Sequence, residues 1–394
     1  ADGGVDAMSV TAAAGFTAGG FACGIKPDGQ LDLAVVTAVA GTIGAAVFTT
    51  NRAAAAPVVV SRSNLADGPS VRAVVVNSGC ANAGTGDEGI AAALTTVAAV
   101  AADVGCDPDE VLVCSTGGIG KPLEVDKVVA GLASLIPHVA SSPGSGTSAA
   151  EAIMTTDTVP KETLYRGGSF TVGGMAKGAG MVRPDMATML VVVTTDAVVR
   201  PAQLREALQA AVDESFHALN IDGCPSTNDT VILLASGSSG VVPSPAELTT
   251  AVGRVCWDLA NQLAADAEGA SRVVTIDVVG APDSATARRA GRLVCDSALV
   301  RSAFYGGDPN WGRLLGALGA GDIEFDPDEF GIAYEGVAVA EDGREVSHDP
   351  AALHAGIAEG DFTVTMTIGR GPGSARVLTT DLTPEYVNFN AEYS

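Results

Sequence analysis

Lys177-Gly178-Ala179-Gly180-Met181-Val182-Arg183-Pro184-Asp185-Met186-Ala187-Thr188-Met189-Leu190 lies near the midpoint of a 394-residue chain. Upstream, the run Gly173–Gly180 is dense in glycine, which lets a backbone bend sharply and approach other groups closely. Downstream, Met189-Leu190-Val191-Val192-Val193 is a short apolar run of the kind that enters a core as a strand. Between the two, Ala187-Thr188 joins a very small residue to a hydroxyl nucleophile. Residue types alone support two readings: a tight loop feeding a core strand, and a nucleophile held rigidly at the first position of that strand.

Working outward, the composition narrows the function classes. With 47% apolar and 17% charged residues, the chain fits a globular protein large enough for a sizeable core. No apolar run reaches the roughly 20 residues of a membrane span, and the N-terminal stretch lacks a basic n-region, so no signal peptide and no membrane partner are expected. A formal net charge of −24 disfavours nucleic acid and anionic membranes. Local cations such as Lys177 and Arg183 are still free to attract a small carboxylate. The cysteines, Cys23, Cys80, Cys106, Cys114, Cys224, Cys256 and Cys295, are scattered and never form a CxxC pair. They read as reduced thiols of a cytoplasmic protein, not as a disulfide frame or a zinc site.

Along the chain, Leu33–Val39, Ile43–Phe48, Pro57–Ser61 and Val71–Asn77 read as short strands. A helix is expected over Glu88–Ala102 and a strand over Glu110–Cys114. That strand runs into Ser115-Thr116-Gly117-Gly118-Ile119-Gly120, a glycine-rich turn whose unpaired N–H groups suit an anion or a developing oxyanion. Pro122–Leu135 reads as helix and Pro137–Gly146 as a connection. Thr155-Thr156-Asp157-Thr158 reads as a hydroxyl-rich turn, followed by strands near Glu162–Arg166 and Ser169–Gly173. Beyond Thr188 the pattern becomes α/β: a helix from Pro201 to about His217, the loop Asp222–Thr230, the strand Val231–Ala235 and a long helix over Pro245–Ala267 capped by Gly269. Glu268, near that C-terminus, sits where a helix dipole prefers a cation, which hints at another use. Arg272–Val279 alternates like a strand, Ser284–Phe304 reads as one helix, and the rest from about Asp322 reads as β-rich. No internal repeat or long linker divides the chain.

The four histidines, His138, His217, His348 and His354, stand apart from every glycine-rich loop and candidate nucleophile, so a Ser-His-Asp arrangement is not expected. No HExxH, EF-hand or Walker pattern occurs. Neither a metal site nor a cofactor is expected. A threonine can act without histidine. If the Ala187–Thr188 bond is cut, Thr188 gains an α-amino group of ordinary pKa about 7.7–8.0, which can serve as the base for its own hydroxyl. A strained turn is a plausible place for Thr188 to attack the preceding carbonyl.

At this point a family resemblance enters. KGAGMVRPDMATML resembles the cleavage and nucleophile segment of the glutamate N-acetyltransferase/ornithine acetyltransferase family of arginine biosynthesis. NSGCANAGTG, CSTGGIG, IMTTDTVPK, STNDTV, DAEGA, GGDPNWGR and the terminal NAEYS resemble further segments of that family in its own order. The resemblance implies an α/β (α+β) protein built as a layered α-β-β-α sandwich and self-cleaved into chains 1–187 and 188–394, which stay together as a heterotetramer. It implies an N-acyltransferase in which Thr188 takes the acetyl group of N2-acetylornithine as an ester and passes it to L-glutamate, releasing ornithine and N-acetylglutamate. It leaves open whether acetyl-CoA is a second donor. Thr116 and Gly117 match the family's oxyanion-stabilising pair, while Thr156, Lys177, Thr188, Glu268 and Asn390 match its substrate-binding positions. From charge, Lys177 suits an α-carboxylate and Glu268 an ammonium. Family members commonly end one residue further on, at a hydroxyl that contacts substrate; here either that residue lies beyond this sequence or Ser394 takes its place. The remaining readings are an autoprocessed aminopeptidase or amidase, in which water takes the acyl group, and an acidic binding or scaffold protein.

Overall fold

The computed structural model describes residues 9–181 and 189–392. Ala187, Thr188 and Ser394 lie outside the described residues, as do Val182, Arg183 and Asp185. The chain is mixed α/β and gathers into two compact units. The first is built from the described residues of Ala1–Gly178, Asp185–Phe216 and Pro225–Leu263, the second from those of Ala179–Pro184, His217–Cys224 and Ala264–Ser394.

In chain order the first ten strands are β1 (Phe16–Phe21), β2 (Leu33–Ala38), β3 (Ile43–Phe48), β4 (Ala73–Cys80), β5 (Val111–Gly118), β6 (Lys161–Arg166), β7 (Thr171–Lys177), β8 (Leu190–Thr195), β9 (Leu219–Asn220) and β10 (Thr230–Ala235). All but β9 belong to the first unit, where they form two sheets, ordered β1-β2-β4-β5 and β3-β10-β8-β7-β6. Side chains alternate between the faces of a strand, and here both faces are used. Val36, Val74 and Leu112 of the first sheet pack with Met175, Leu190, Val192 and Ile232 of the second. Their neighbours Val35, Val75 and Val113 turn the other way, onto helices α1 (Ala56–Asp67), α2 (Gly86–Val104) and α3 (Val125–Leu135), through Val60, Val97 and Leu132. Helix α4 (Pro143–Ala152) packs on β1 and β2. Helix α5 (Pro201–Glu214) packs on β3 and β10, and α6 (Pro245–Ala265) meets β7. Helices therefore flank a pair of stacked sheets in this unit, as the layered expectation requires.

Three local expectations are corrected. Pro57–Ser61 is helix, not strand: Pro57 sits in the first turn of α1, where its missing N–H costs nothing, and Val58 and Val60 are buried. Burial outweighs the β preference of the valines. The connection Pro137–Gly146 contains the start of α4, where Ser142 Oγ accepts from the Ser145 N–H at 3.2 Å. The glycine-dense run before Gly178 is the strand β7, not a bend. Gly174 is there for close packing, because a Cβ on it would lie 3.0 Å from Val255 Cγ1 and 3.1 Å from Leu259 Cδ1 of α6.

The second unit is one sheet ordered β14-β13-β12-β15-β11-β16-β9. Its other strands are β11 (Val273–Ala281), β12 (Gly331–Tyr334), β13 (Val337–Glu341), β14 (Arg344–Glu345), β15 (Phe362–Thr367) and β16 (Gly373–Thr380). Val274, Ile276 and Val278 of β11 share a core with Ala290, Phe304 and Leu314 of α7 (Ser284–Cys295), α8 (Ala298–Tyr305) and α9 (Trp311–Gly319). The single helix expected over Ser284–Phe304 is two, because Ser297 caps a new one: its Oγ accepts from the Val300 N–H at 3.3 Å. The β-rich tail also carries α10 (Pro350–Ile357) and α11 (Pro384–Glu392).

Candidate active site

In the first unit, β4 and β5 run parallel in even register from Ala73 opposite Val111 to Gly79 opposite Gly117. The register then breaks, and Cys80 faces both Thr116 and Gly118. Strand β5 therefore does not end at Cys114. Thr116 and Gly117 occupy its irregular end instead of a turn beyond it, since the ladder to β4 continues. Gly117 has φ +128°, and a Cβ there would overlap the Gly79 and Cys80 backbone, so only glycine fits this irregularity. The strand end is pinned from behind. Ser115 Oγ donates to Asn77 Oδ1 at 2.6 Å, and Asn228 Nδ2 donates to the carbonyls of Ala81 at 2.6 Å and Ser115 at 2.9 Å.

Thr116 is buried, and its hydroxyl accepts from Lys177 Nζ at 3.2 Å. Among the described residues none takes the hydroxyl's own hydrogen. Lys177, the last residue of β7, is itself buried and also donates to Thr155 Oγ1 at 2.6 Å. Its ammonium stands 3.9 Å from Asp157 Oδ2. Asp157 accepts from Lys161 Nζ and from the Gly178 N–H, each at 2.6 Å through Oδ1, and from the Thr155 N–H at 2.9 Å through Oδ2. Burial works to raise the Asp157 pKa, but the two ammoniums and the Gly178 amide outweigh it and bring it down to about 2. The carboxyl is therefore ionised at any working pH. Thr156, the residue matched in the sequence, is half-buried between Thr155 and Asp157, and its neighbour Thr155 touches Lys177. Charge alone suggested Lys177 as a carboxylate anchor. Around its ammonium stand the hydroxyls of Thr116 and Thr155 and the carboxylate of Asp157.

The other polar feature of this unit follows Thr188 directly in sequence. The Met189 N–H donates to Asp229 Oδ1 at 2.8 Å. Asp229 is fully buried, and its Oδ2 has no partner among the described residues. Burial pushes its pKa well above the usual carboxylate range, opposed in part by the Met189 amide and the charge of Lys177. Thr155, Asp157, Lys161 and Asp229 were not singled out in the sequence. The only signals were the acidic residues inside IMTTDTVPK and STNDTV, the second just ahead of the wholly buried strand β10.

The second unit holds the other candidates. Asn390 of α11 donates through Nδ2 to Glu268 Oε2 at 3.3 Å and to the Tyr386 carbonyl at 3.1 Å. Glu268 does not lie in the final turn of α6, which ends at Ala265, so the helix-dipole reading of it falls. Its N–H donates to the Ala179 carbonyl at 2.8 Å, and a side chain at Gly180 would strike its carboxylate. Gly269 is not the cap of α6 either. It has φ +64° and lets the chain pass against the Tyr386 backbone at the start of α11, which carries Asn390 to Glu268.

Among the described residues no group of three His, Cys, Asp or Glu side chains could hold a metal ion, and no helix is long and apolar enough to cross a membrane. His138, His348 and His354 each place Nδ1 against a backbone carbonyl and touch none of these candidates.

Residues 17–394 match the model of the ArgJ family. The chain is 49% identical over 388 residues to the arginine biosynthesis bifunctional protein ArgJ of Thermobifida fusca (strain YX), covering 98% of this chain and 100% of that protein. It is 47% identical over 395 residues to the protein of that name from Mycobacterium leprae (strain TN), covering 98% and 96%. A solved structure, the ornithine acetyltransferase of Mycobacterium tuberculosis complexed with ornithine, is 44% identical over 47% of this chain and 98% of that one, with a TM-score of 0.44. The class these relatives define is that of the acetyltransferases of arginine biosynthesis. Matched over nearly its whole length, the chain belongs to the ArgJ family.

Proposed function

We propose that the protein moves the acetyl group of N2-acetylornithine to L-glutamate through an acetyl ester on Thr188, after cleaving itself between Ala187 and Thr188. The observation that carries this reading is the Thr116 hydroxyl, buried beside the glycine-only position Gly117 and backed by the Lys177 ammonium. Both halves of an acetyl transfer pass through a tetrahedral oxyanion. A hydroxyl hydrogen and a backbone N–H fixed in a water-poor site are the groups that stabilise one. In the proposed sequence the free α-amine of Thr188 takes the proton of its own Oγ as that oxygen attacks the acetyl carbonyl. The same proton then goes to the departing amine of ornithine. Glutamate enters with its amine neutral, attacks the ester and restores the hydroxyl. Lys177, Thr156, Asn390 and Ser394 are proposed as substrate ligands, and Glu268 as the ligand for an ammonium. The proposal extends to a cytoplasmic heterotetramer of the two fragments, without a cofactor, and to acetyl-CoA as a second donor for glutamate.

Denaturing electrophoresis with N-terminal sequencing tests the first half: two fragments are expected, the second beginning Thr188-Met189-Leu190. A fully active, uncut chain would overturn it. Thr188→Ala is expected to stay whole and to transfer nothing. Incubating acetylornithine with and without glutamate separates transferase from amidase, because ornithine release that ignores glutamate would assign the acyl group to water. N-acetylglutamate formed from acetyl-CoA and glutamate alone would establish the second donor.

A further inference from the structure

We propose that Asp229 is the proton donor of self-cleavage: its second carboxyl oxygen, Oδ2, gives a hydrogen to the nitrogen of Thr188 as the Ala187–Thr188 bond breaks. This rests on the self-cleavage reading given above and adds to it the group that lets the amide nitrogen leave.

The placement begins with Met189, which is fully buried and held on both sides by the chain around β10. The Thr230 N–H donates to its carbonyl at 3.2 Å, and its own N–H donates to Asp229 Oδ1 at 2.8 Å. That N–H belongs to the peptide that joins Thr188 to Met189, so the carboxyl lies against the main chain of the nucleophile. The nitrogens of successive residues stand at most about 3.7 Å apart, which keeps the Thr188 nitrogen near the same carboxyl. Asp229 is itself held. Its carbonyl accepts from the Thr49 N–H at 2.9 Å, and β10 starts directly after it, in parallel register with β8 and with Thr230 opposite Leu190.

An anchor for the Met189 N–H needs one carbonyl oxygen, which an asparagine would supply. The carboxyl brings a second oxygen, buried and without a hydrogen-bond partner among the described residues. Such a group costs stability and calls for an explanation. Around the carboxyl stand Lys177 from the end of β7, Thr49 beyond β3 and Ser226 from the loop before β10. The Thr49 hydroxyl spends its hydrogen on the Ser226 carbonyl at 2.7 Å. Of these three, Lys177 alone carries charge, and it works to ionise Asp229; burial outweighs it and holds the pKa well above the usual range. A buried carboxyl that keeps its proton has one to give.

In the proposed step Thr188 Oγ attacks the Ala187 carbonyl carbon and forms a C–O bond. Asp229 Oδ2 protonates the Thr188 nitrogen as the C–N bond breaks, which leaves an Ala187 ester on Oγ and a neutral α-amine. The proton shed by Oγ returns to the Asp229 carboxylate and restores the acid. Water then hydrolyses the ester, giving Ala187 its carboxyl group and Thr188 its hydroxyl.

Asp229→Asn tests this at constant shape, because its amide carbonyl still accepts from the Met189 N–H while its NH2 group gives up no proton. Full-length chain is made by translation in vitro with a labelled amino acid and sampled over time on a denaturing gel. The expected variant folds, melts at or above the wild-type temperature and cleaves about a hundredfold more slowly. A folded Asp229→Asn chain that cleaves within twofold of the wild-type rate would show that Asp229 only anchors Met189, and would overturn the proposal. If Asp229→Asn does not fold, Asp229→Glu and Asp229→Gln decide as a pair of equal size: the acid should cleave at least tenfold faster than the amide, and equal rates would overturn the proposal. Wild-type chain that never cleaves would instead sink the proposed function.

Discussion

Two carboxylates in this molecule each meet a cation at 2.6 Å, and the equality of length hides opposite physics. Arg376 spans from β16 to its register partner Asp277 on β11 with a two-pronged contact of 2.6 and 2.7 Å, and the side chains are 54% and 26% exposed. Lys161 meets Asp157 in the first unit with both side chains at 0%. At the surface, water competes for both partners and such a pair contributes little. In the interior, each charge has been stripped of water, so loss of one leaves the other short of the charge that compensates its burial. The exposed pair can be discarded, whereas the buried one constrains every residue around it, including Lys177 and Thr116.

The sharpest way to break this comparison is Asp157→Ala, which leaves two buried ammoniums without their carboxylate. A loss of about 3–5 kcal/mol is expected, read by urea unfolding; a loss below about 1 kcal/mol would make the buried pair no different from a surface one. Next comes Gly117→Ala at the same strand end. The added methyl meets backbone at a left-handed φ, so a cost near 3 kcal/mol is expected, with slowed self-cleavage on a gel. Acid sharpens the comparison further. The folded pKa of Asp157, about 2, lies below the ordinary 3.8. Its ionisation therefore stabilises the fold fully above pH 3.8 and is lost as pH falls toward 2. About 2 kcal/mol should disappear over that window and be missing from the acid profile of Asp157→Asn. Smallest is Arg376→Ala, expected to cost about 0.2–1 kcal/mol and to cost less in high salt. A larger, salt-insensitive loss would show that exposure does not set the rank.

The same contrast explains what could be read from the chain alone. The unbroken apolar runs of β2, β4 and β5 were legible as strands because burial on both faces leaves an apolar side chain at successive positions. Thr116 and Gly117 were legible as candidates, since a strand entering small residues and glycines is a local pattern, although the irregular pairing that holds them depends on Gly79 and Cys80, far away in sequence. Lys177 was legible as a charge but not as a neighbour of Thr116. Asp157, Lys161 and Asp229 were missed because burial is a tertiary property: an acidic residue in a polar turn reads as solvated until strands and helices close over it. Gly173 and Gly174 misled for the related reason that a glycine chosen for close packing looks, in sequence, like a glycine chosen for a turn.

One feature of the second sheet reaches further. Lys177 and Leu190 are direct partners across the antiparallel pair β7–β8, so the last residue of β7 and the first of β8 lie side by side in the sheet. The central strands β8 and β10 come after Thr188 in sequence, while their flanking strands β3 and β7 come before it. Cutting Ala187–Thr188 would remove a covalent link without removing a single ladder partner. What had been a hairpin would become an interface between two polypeptides, formed before either existed as a separate molecule. The pieces would then part only when the sheet itself melts, and two fragments refolded from denaturant would face an encounter step that the intact precursor never meets.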